Sequence, residues 1–128
     1  RGRGRAAALA AATVAERYEL VLGDRDEERK VFYGAFVHFL RARGKDPART
    51  HLPVCHGEEV CLYQLWEAVA EHGGHKGATA GKRWASVAER CIAGAAGLAS
   101  KTYMARALYE RHGLLEFEAG GGVDAAFR

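Results

Sequence analysis

Proline, methionine and cysteine are scarce in this chain of 128 residues, which holds two, one and three of them. With only Pro47 and Pro53 to interrupt it, most of the backbone is free to run helical. The cysteines, Cys55, Cys61 and Cys91, are odd in number and contain no Cys-x-x-Cys pair. They fit a reducing compartment better than a disulfide framework. A zinc site assembled from His51, Cys55, His56 and Cys61 would follow no standard ligand spacing. No apolar run approaches the roughly 20 residues that a membrane-spanning helix needs. Strand-like alternation is also missing, as are a Gly-x-Ser-x-Gly elbow, a His-Glu-x-x-His helix and a dinucleotide fingerprint. Six histidines occur (His38, His51, His56, His72, His75 and His112), none in a recognisable catalytic setting. The adjacent Glu58 and Glu59 would point about 100° apart on a helix rather than at one substrate atom. The expectation is a chain that is not an enzyme and needs no cofactor or metal.

What is abundant is alanine and leucine, arranged with helical periodicity. Five helical segments can be read, in an all-α, compact bundle of five to six helices. The first spans about Ala6 to Leu22 and stops at Gly23. Asp24 followed by Glu27 resembles a capping box for the second, where Phe32, Phe36, Phe39 and Leu40 form an aromatic core face before Gly44. A loop from Lys45 to Gly57 follows. Glu58 and Glu59 then suit the first turn of a third helix, whose inner face is Leu62, Leu65, Trp66 and Val69. After Gly73-Gly74 the stretch His75 to Gly81 reads as a loop. Trp84, Val87, Ala88 and Cys91 mark the fourth helix, and Ser100 is a plausible N-cap for a fifth that ends near Gly113.

Formal charge is only +3, yet it is unevenly placed. Arg41, Arg43, Lys45 and Arg49 face a single acid, Asp46, in one stretch, and Lys76, Lys82, Arg83 and Arg90 face only Glu89 in another. Glu58, Glu59, Glu67 and Glu71 lie between them. Such polarity suits a molecule with one basic face. On a wheel of the fifth helix, Met104, Ala105, Leu108, Tyr109 and His112 cluster inward. Thr102, Tyr103, Arg106 and Ala107 fall on the other side, with Ser100 and Lys101 in the first turn. Small polar and basic residues there suit a helix that enters a major groove. The fourth and fifth helices with their connection form a helix-turn-helix-like unit, although the loop is long for that motif. The glycine-rich run from Gly73 to Arg83 fails as a P-loop, since Lys76 stands where glycine is required and Arg83 where Ser or Thr is. Its Lys76, Thr79, Lys82 and Arg83 remain candidates for backbone phosphates.

The segment Phe32 to Glu118 resembles the AT-rich interaction (ARID) family. The features are Phe39 with Arg43-Gly44, then Pro53, Gly57 and Leu62-Tyr63-x-Leu65-Trp66. Val69, Gly73-Gly74, Lys82-Arg83-Trp84-x-x-Val87-Ala88 and Ser100-x-x-Tyr103 follow. Tyr109, Leu114-Leu115 and Phe117-Glu118 close the pattern. The resemblance implies a helical bundle in which loops grip the DNA backbone and the fifth helix enters the major groove. By position it assigns Lys45, Arg49 and Thr50 to one phosphate-contacting loop. Lys76, Thr79, Lys82 and Arg83 would lie near the duplex, and Ser100, Lys101, Thr102 and Arg106 would read the groove. Trp84, Tyr63, Trp66 and Tyr109 match core positions. The sequence departs from the family pattern at Cys61, where an acid is usual, and at Ala78 and Ala105, where larger aliphatics are. One extra residue also stands at His112-Gly113.

The resulting division is a basic leader and helix over residues 1–23, an ARID-like DNA-binding domain over 24–118 and a flexible tail over 119–128. Opening on Arg1 rather than Met, the chain reads as a piece of a longer or processed protein. Its Arg1–Arg5 start reads as a disordered basic leader rather than a targeting peptide or a minor-groove arm. The expected role is a sequence-tolerant DNA-binding module of a nuclear chromatin or transcription protein, monomeric, with double-stranded DNA and other chromatin proteins as partners, an AT preference being left open. The alternative is a protein-protein interaction module on the same fold that no longer binds DNA, and an RNA binder ranks below both.

Overall fold

The computed structural model describes residues 12–94 and 97–125. Arg1–Arg5, and the part of the expected first helix that precedes residue 12, lie outside them. The described residues hold eight helices and one two-stranded hairpin, so the all-α expectation is met. They divide into two compact units. One runs up to Leu52 and takes in the chain from Ala119 onward; the other is Pro53–Glu118.

In the first unit, α1 covers Val14–Val21 and α2 covers Glu27–Ala42. The capping box lies at α1, not at Asp24. Thr13 Oγ1 accepts the Glu16 N–H at 3.1 Å while the Glu16 carboxylate accepts the Thr13 N–H at 2.8 Å. A helix therefore starts at Val14, and Thr13 pairs across the unit with His51 in an isolated bridge. Asp26 is the N-cap of α2, accepting from the Arg29 N–H at 3.1 Å. Asp24 instead accepts from the Arg25 N–H at 2.7 Å and pairs with Arg29 at 3.2 Å. Phe32, Phe36 and Leu40 are buried as their spacing requires. Phe39 is only half buried, with the Arg43 guanidinium 4.8 Å above its ring.

Helix α2 ends in a Schellman motif. Gly44, at φ +74°, takes the left-handed conformation that residues with a Cβ avoid. Its N–H donates to Arg41 O at 3.0 Å, and the Lys45 N–H donates to Leu40 O at 2.9 Å. The chain then closes a 3-10 turn, Pro47–Arg49, capped by Asp46. Within the stretch expected as a flexible tail, helix α8 (Gly122–Ala125) buries Gly122 and packs against α2.

The second unit opens with a hairpin where a loop and a helix start were expected. Strands β1 (Val54–Cys55) and β2 (Glu58–Glu59) pair with Val54 opposite Glu59 and Cys55 opposite Glu58. His56 and Gly57, at φ +53° and +80°, form the two-residue link. Two successive positive φ values match the twist of a tight hairpin. Glu58 and Glu59 consequently belong to a strand and not to a helical turn.

Helix α3 (Leu62–Ala70) follows, with Cys61 at its N-cap and no side-chain cap bond. This is the physical result of losing an acid there, since a thiol is a poor acceptor for N–H groups. Leu62, Leu65, Ala68 and Val69 are buried. Helix α4 (Gly74–Ala80) occupies the stretch read as a loop. Helix α5 (Trp84–Cys91) packs most extensively on α6 (Leu98–Arg111), and α7 (Leu114–Ala119) completes the unit. Helix α6 begins two residues before Ser100, with Gly97 as N-cap and no side-chain cap bond. Ser100 therefore lies inside the first turn rather than at the cap.

Candidate nucleic-acid interface

An aromatic cluster fixes the second unit. Trp66 stacks on Tyr109 with ring centroids 6.4 Å apart and meets Phe117 at 5.0 Å. Trp84 stands edge-on to Tyr109 at 5.8 Å, and the His75 ring fills the corner, stacked on Tyr109 at 6.1 Å and edge-on to Trp84 at 5.5 Å. Polar groups in the cluster are satisfied: the Trp84 indole donates to Thr79 Oγ1 at 3.0 Å, and the Tyr109 phenol donates to Glu118. Burial, then the hydrogen bond to the Glu118 carboxylate, push the Tyr109 phenol far above its ordinary pKa. Trp84 and Tyr109 are buried, as core positions should be, while Trp66 and Tyr63 are half buried and the Tyr63 hydroxyl reaches Glu67 at 2.8 Å.

This core aims the basic groups outward. Lys76 stands exposed on α4, and Lys82 and Arg83 stand exposed in the link from α4 to α5. Lys76, Lys82 and Arg83 take part in no ion pair among the described residues. Lys82 sits at φ +55°, and the adjoining backbone is tied by Gly81 N–H to Gly77 O at 2.9 Å and Arg83 N–H to Ala78 O at 2.8 Å. Thr79 has the different job of holding the Trp84 indole. Arg90, at the far end of α5, is occupied by Glu71 at 2.7 Å.

On α6 the exposed stripe is narrower than the wheel suggested. Ala105, Leu108 and Tyr109 are buried as expected, but Met104 and His112 are only half buried and Ala107 is 6% exposed. The Ala107 placement is a correction: neighbours cover the C-terminal half of α6 on two sides, and a methyl group fits between them. What remains open is a line through Tyr103 and Arg106, with Ser100 beside it. Thr102 donates its hydroxyl to Leu98 O at 2.7 Å. Lys101 shares the flank of Ala105 and Leu108, and its charge acts on the Cys55 thiol of the hairpin. Arg106 Nε donates to Glu110 at 2.9 Å.

Tyr103 is the residue sequence reasoning passed over. At 63% exposure it is the largest ring on the open line of α6, one turn from Arg106. The signal was present, since the wheel already set it on the outer face. In the first unit, Lys45 and Arg49 are exposed. Arg49 keeps only a loose 4.0 Å approach to Asp46, and Thr50 is tied into its loop through Asp46 O at 2.9 Å.

Among the described residues, no group of three or more His, Cys, Asp or Glu side chains gathers around a metal-sized point. Likewise no helix of the described residues is long and apolar enough to cross a membrane. A helical pair braced by an aromatic cluster, with unpaired cations along its exposed edge, defines a class: an all-α DNA-binding domain of helix-turn-helix type. The model of the ARID/BRIGHT DNA binding domain family matches residues 28–118, and the chain belongs to that family. It is a DNA-binding module. No curated protein and no solved structure matches the chain.

Proposed function

We propose that this module grips duplex phosphates through two basic segments and enters the major groove with α6, in a nuclear chromatin or transcription protein. The single observation that carries this reading is the pairing of an open Tyr103–Arg106 line on α6 with the exposed and unpaired Lys76, Lys82 and Arg83. A helix about 10–12 Å across fits a groove about 12 Å wide. Lys45, Arg49 and Thr50 supply the first phosphate-contacting segment, and Lys76 and Thr79 of α4 with Lys82 and Arg83 of the link after it supply the second. Ser100, Lys101, Thr102 and Arg106 line the groove, with the Tyr103 ring as an apolar surface for sugars or thymine methyls. Most of the affinity comes from phosphate neutralisation, so sequence preference, AT over GC, is modest. The molecule works as a monomer, beside other chromatin proteins.

Fluorescence anisotropy with AT-rich and GC-rich duplexes across a salt series tests this reading. The expected outcome is binding to both, with log Kd changing steeply with log salt. Lys101→Ala and Arg106→Ala weaken binding while the urea midpoint stays near that of the parent. Parent-like affinity in both variants removes α6 from the interface.

A further inference from the structure

Glu110 lies one turn beyond Arg106 on α6, at the edge of the open line. Arg106 Nε donates to Glu110 Oε2 at 2.9 Å, and no other partner meets Arg106 among the described residues. A guanidinium carries its N–H donors in a flat, rigid fork. Spending Nε–H on Glu110 occupies the side edge of that fork. The end edge, with an N–H from each Nη, stays open.

Glu110 is held in its turn. Its Oε2 lies 2.6 Å from His75 Nε2. The His75 hydrogen bond first, and the Arg106 hydrogen bond next, keep this carboxyl below the ordinary glutamate range, so it accepts and the imidazole donates. A neutral ring donates through Nε2 as a charged one does, and the arrangement needs no change of protonation. His75 is wedged as well, stacked on Tyr109 and edge-on to Trp84, with its backbone N–H on Glu118 at 3.0 Å. A chain of contacts thus runs from the aromatic cluster through His75 and Glu110 to a side chain that would otherwise sample many rotamers.

The same carboxylate decides what the fork can grip. Arg106 and Glu110 cancel in charge, so the pair attracts a phosphate weakly, and the carboxylate repels one that comes close. A base edge carries no net charge, and there the direction of the donors counts for more than the field. The end edge of the fork matches two neighbouring acceptors. In the major groove guanine offers such a pair in O6 and N7, whereas adenine sets its N6 donor beside N7, where it would meet the second N–H.

We infer that Arg106 is a specificity-determining residue that reads one guanine at O6 and N7, with Glu110 as the positioning residue that keeps its fork aimed, given the reading of α6 as the helix in the groove. Lys76, Lys82 and Arg83, which form no ion pair among the described residues, are left to grip phosphate. One guanine among A·T pairs is then a better site than A·T pairs alone.

The test is anisotropy with a short all-A·T duplex, the same duplex with one central G·C pair, and that duplex with 7-deazaguanine, which lacks the N7 acceptor. The parent is compared with Arg106→Lys, which keeps the charge and loses the fork, and with Glu110→Ala, which keeps the helix and frees the fork. Urea titration confirms that each variant is folded. The parent binds the guanine duplex about tenfold more tightly than either of the others. In both variants the three Kd values draw together. In Glu110→Ala they do so without loss of affinity for the all-A·T duplex, and the log–log salt slope steepens by up to about 0.9 as the guanidinium turns to phosphate. A purely structural role of Glu110 would weaken all three duplexes alike and overturn the positioning. Equal parental affinity for the three duplexes, or for the guanine and 7-deazaguanine duplexes, overturns the inference and leaves the DNA reading intact. A preference that survives Arg106→Lys assigns the guanine to another side chain and overturns it too, and one that survives Glu110→Ala overturns the role of Glu110. A parent that binds no duplex overturns both the inference and the DNA reading. Should Glu110→Ala fail to fold, Glu110→Gln takes its place, with preference and salt slope moving the same way.

Discussion

The Glu118 carboxylate on α7 accepts the backbone N–H of His75, 43 residues earlier, at 3.0 Å through one oxygen and 3.3 Å through the other. The same carboxylate receives the Tyr109 phenol. One side chain therefore joins the start of α4, the last turn of α6 and α7. Glu118→Ala leaves two donors in a half-buried place without an acceptor, each costing about 1–3 kcal/mol. A urea titration should show a loss in that range, with Glu118→Gln recovering part of it. A loss below about 0.5 kcal/mol, within the span of an ordinary surface substitution, would mean that the junction contributes little.

Gly77→Ala should destabilise the domain, although alanine is normally the better helix former by about 1 kcal/mol. A Cβ at this position would stand 2.0 Å from the carbonyl oxygen of His72, which belongs to the backbone and cannot swing aside. Thermal unfolding followed by circular dichroism checks this. An unchanged or higher Tm would show that the turn between α3 and α4 is looser than described.

Much of the fold was legible in the residues. The Phe32, Phe36 and Leu40 repeat and the Trp84, Val87, Ala88 and Cys91 repeat each marked a buried helical face, because one face of each helix meets the core and the other meets water. Helix α4 was not legible. Its sequence, GHKGATA, has two glycines and no apolar stripe, and what holds it is long-range: Glu118 on its first turn and Trp84 on Thr79. The hairpin escaped for a similar reason, since His56-Gly57 is a weaker turn signal than Asn-Gly and its strands are two residues each. At the candidate interface, residue types and order sufficed to nominate Lys82, Arg83 and Arg106. Occupancy did not follow from sequence. That Glu110 is shared between Arg106 and His75, and that Tyr103 stays open while Ala107 does not, depends on packing from elsewhere in the chain.

Buried thiols give a further check. Burial pushes Cys91 up to about 12, with Arg90 pulling weakly the other way, and burial raises Cys55 as well. Both should resist a thiol reagent at pH 8 and react only as the domain unfolds, while the half-buried Cys61 reacts sooner. A raised native value means that the protonated thiol is favoured by folding. Its stabilisation is complete below pH 9 and is lost as pH climbs toward 12. Rapid labelling of Cys91 in native buffer would contradict its placement against α6.

On the acid side the sign reverses. Burial, aided by Arg111, lowers His112, so the folded state favours the neutral ring. Its stabilisation is present above the ordinary histidine range and is lost as pH falls through and below about 6.5. Urea midpoints at pH 7.5 and 5.5 should differ less in His112→Gln than in the parent. Equal differences would assign the acid sensitivity to another group, with Glu110 entering only below the glutamate range.

Tyr103→Ala should weaken duplex binding by about 1–2 kcal/mol without lowering Tm, because its ring is 63% exposed and supports nothing in the core. Equal affinity in anisotropy would remove the ring from the interface and leave the lysines and arginines to carry it.

The left-handed Lys82 and the backbone bonds on either side of it carry a consequence for association. Loops that seize nucleic acid commonly sacrifice affinity to freeze their own motion. Here the bonds Gly81 to Gly77 and Arg83 to Ala78 already fix the backbone that carries both cations. Preorganisation of this kind lowers the entropic penalty of docking and lengthens residence on the duplex. A β-branched residue at position 82, which resists positive φ, would unlock the loop and shorten the bound lifetime, even with every charge on Arg83 and Lys76 intact.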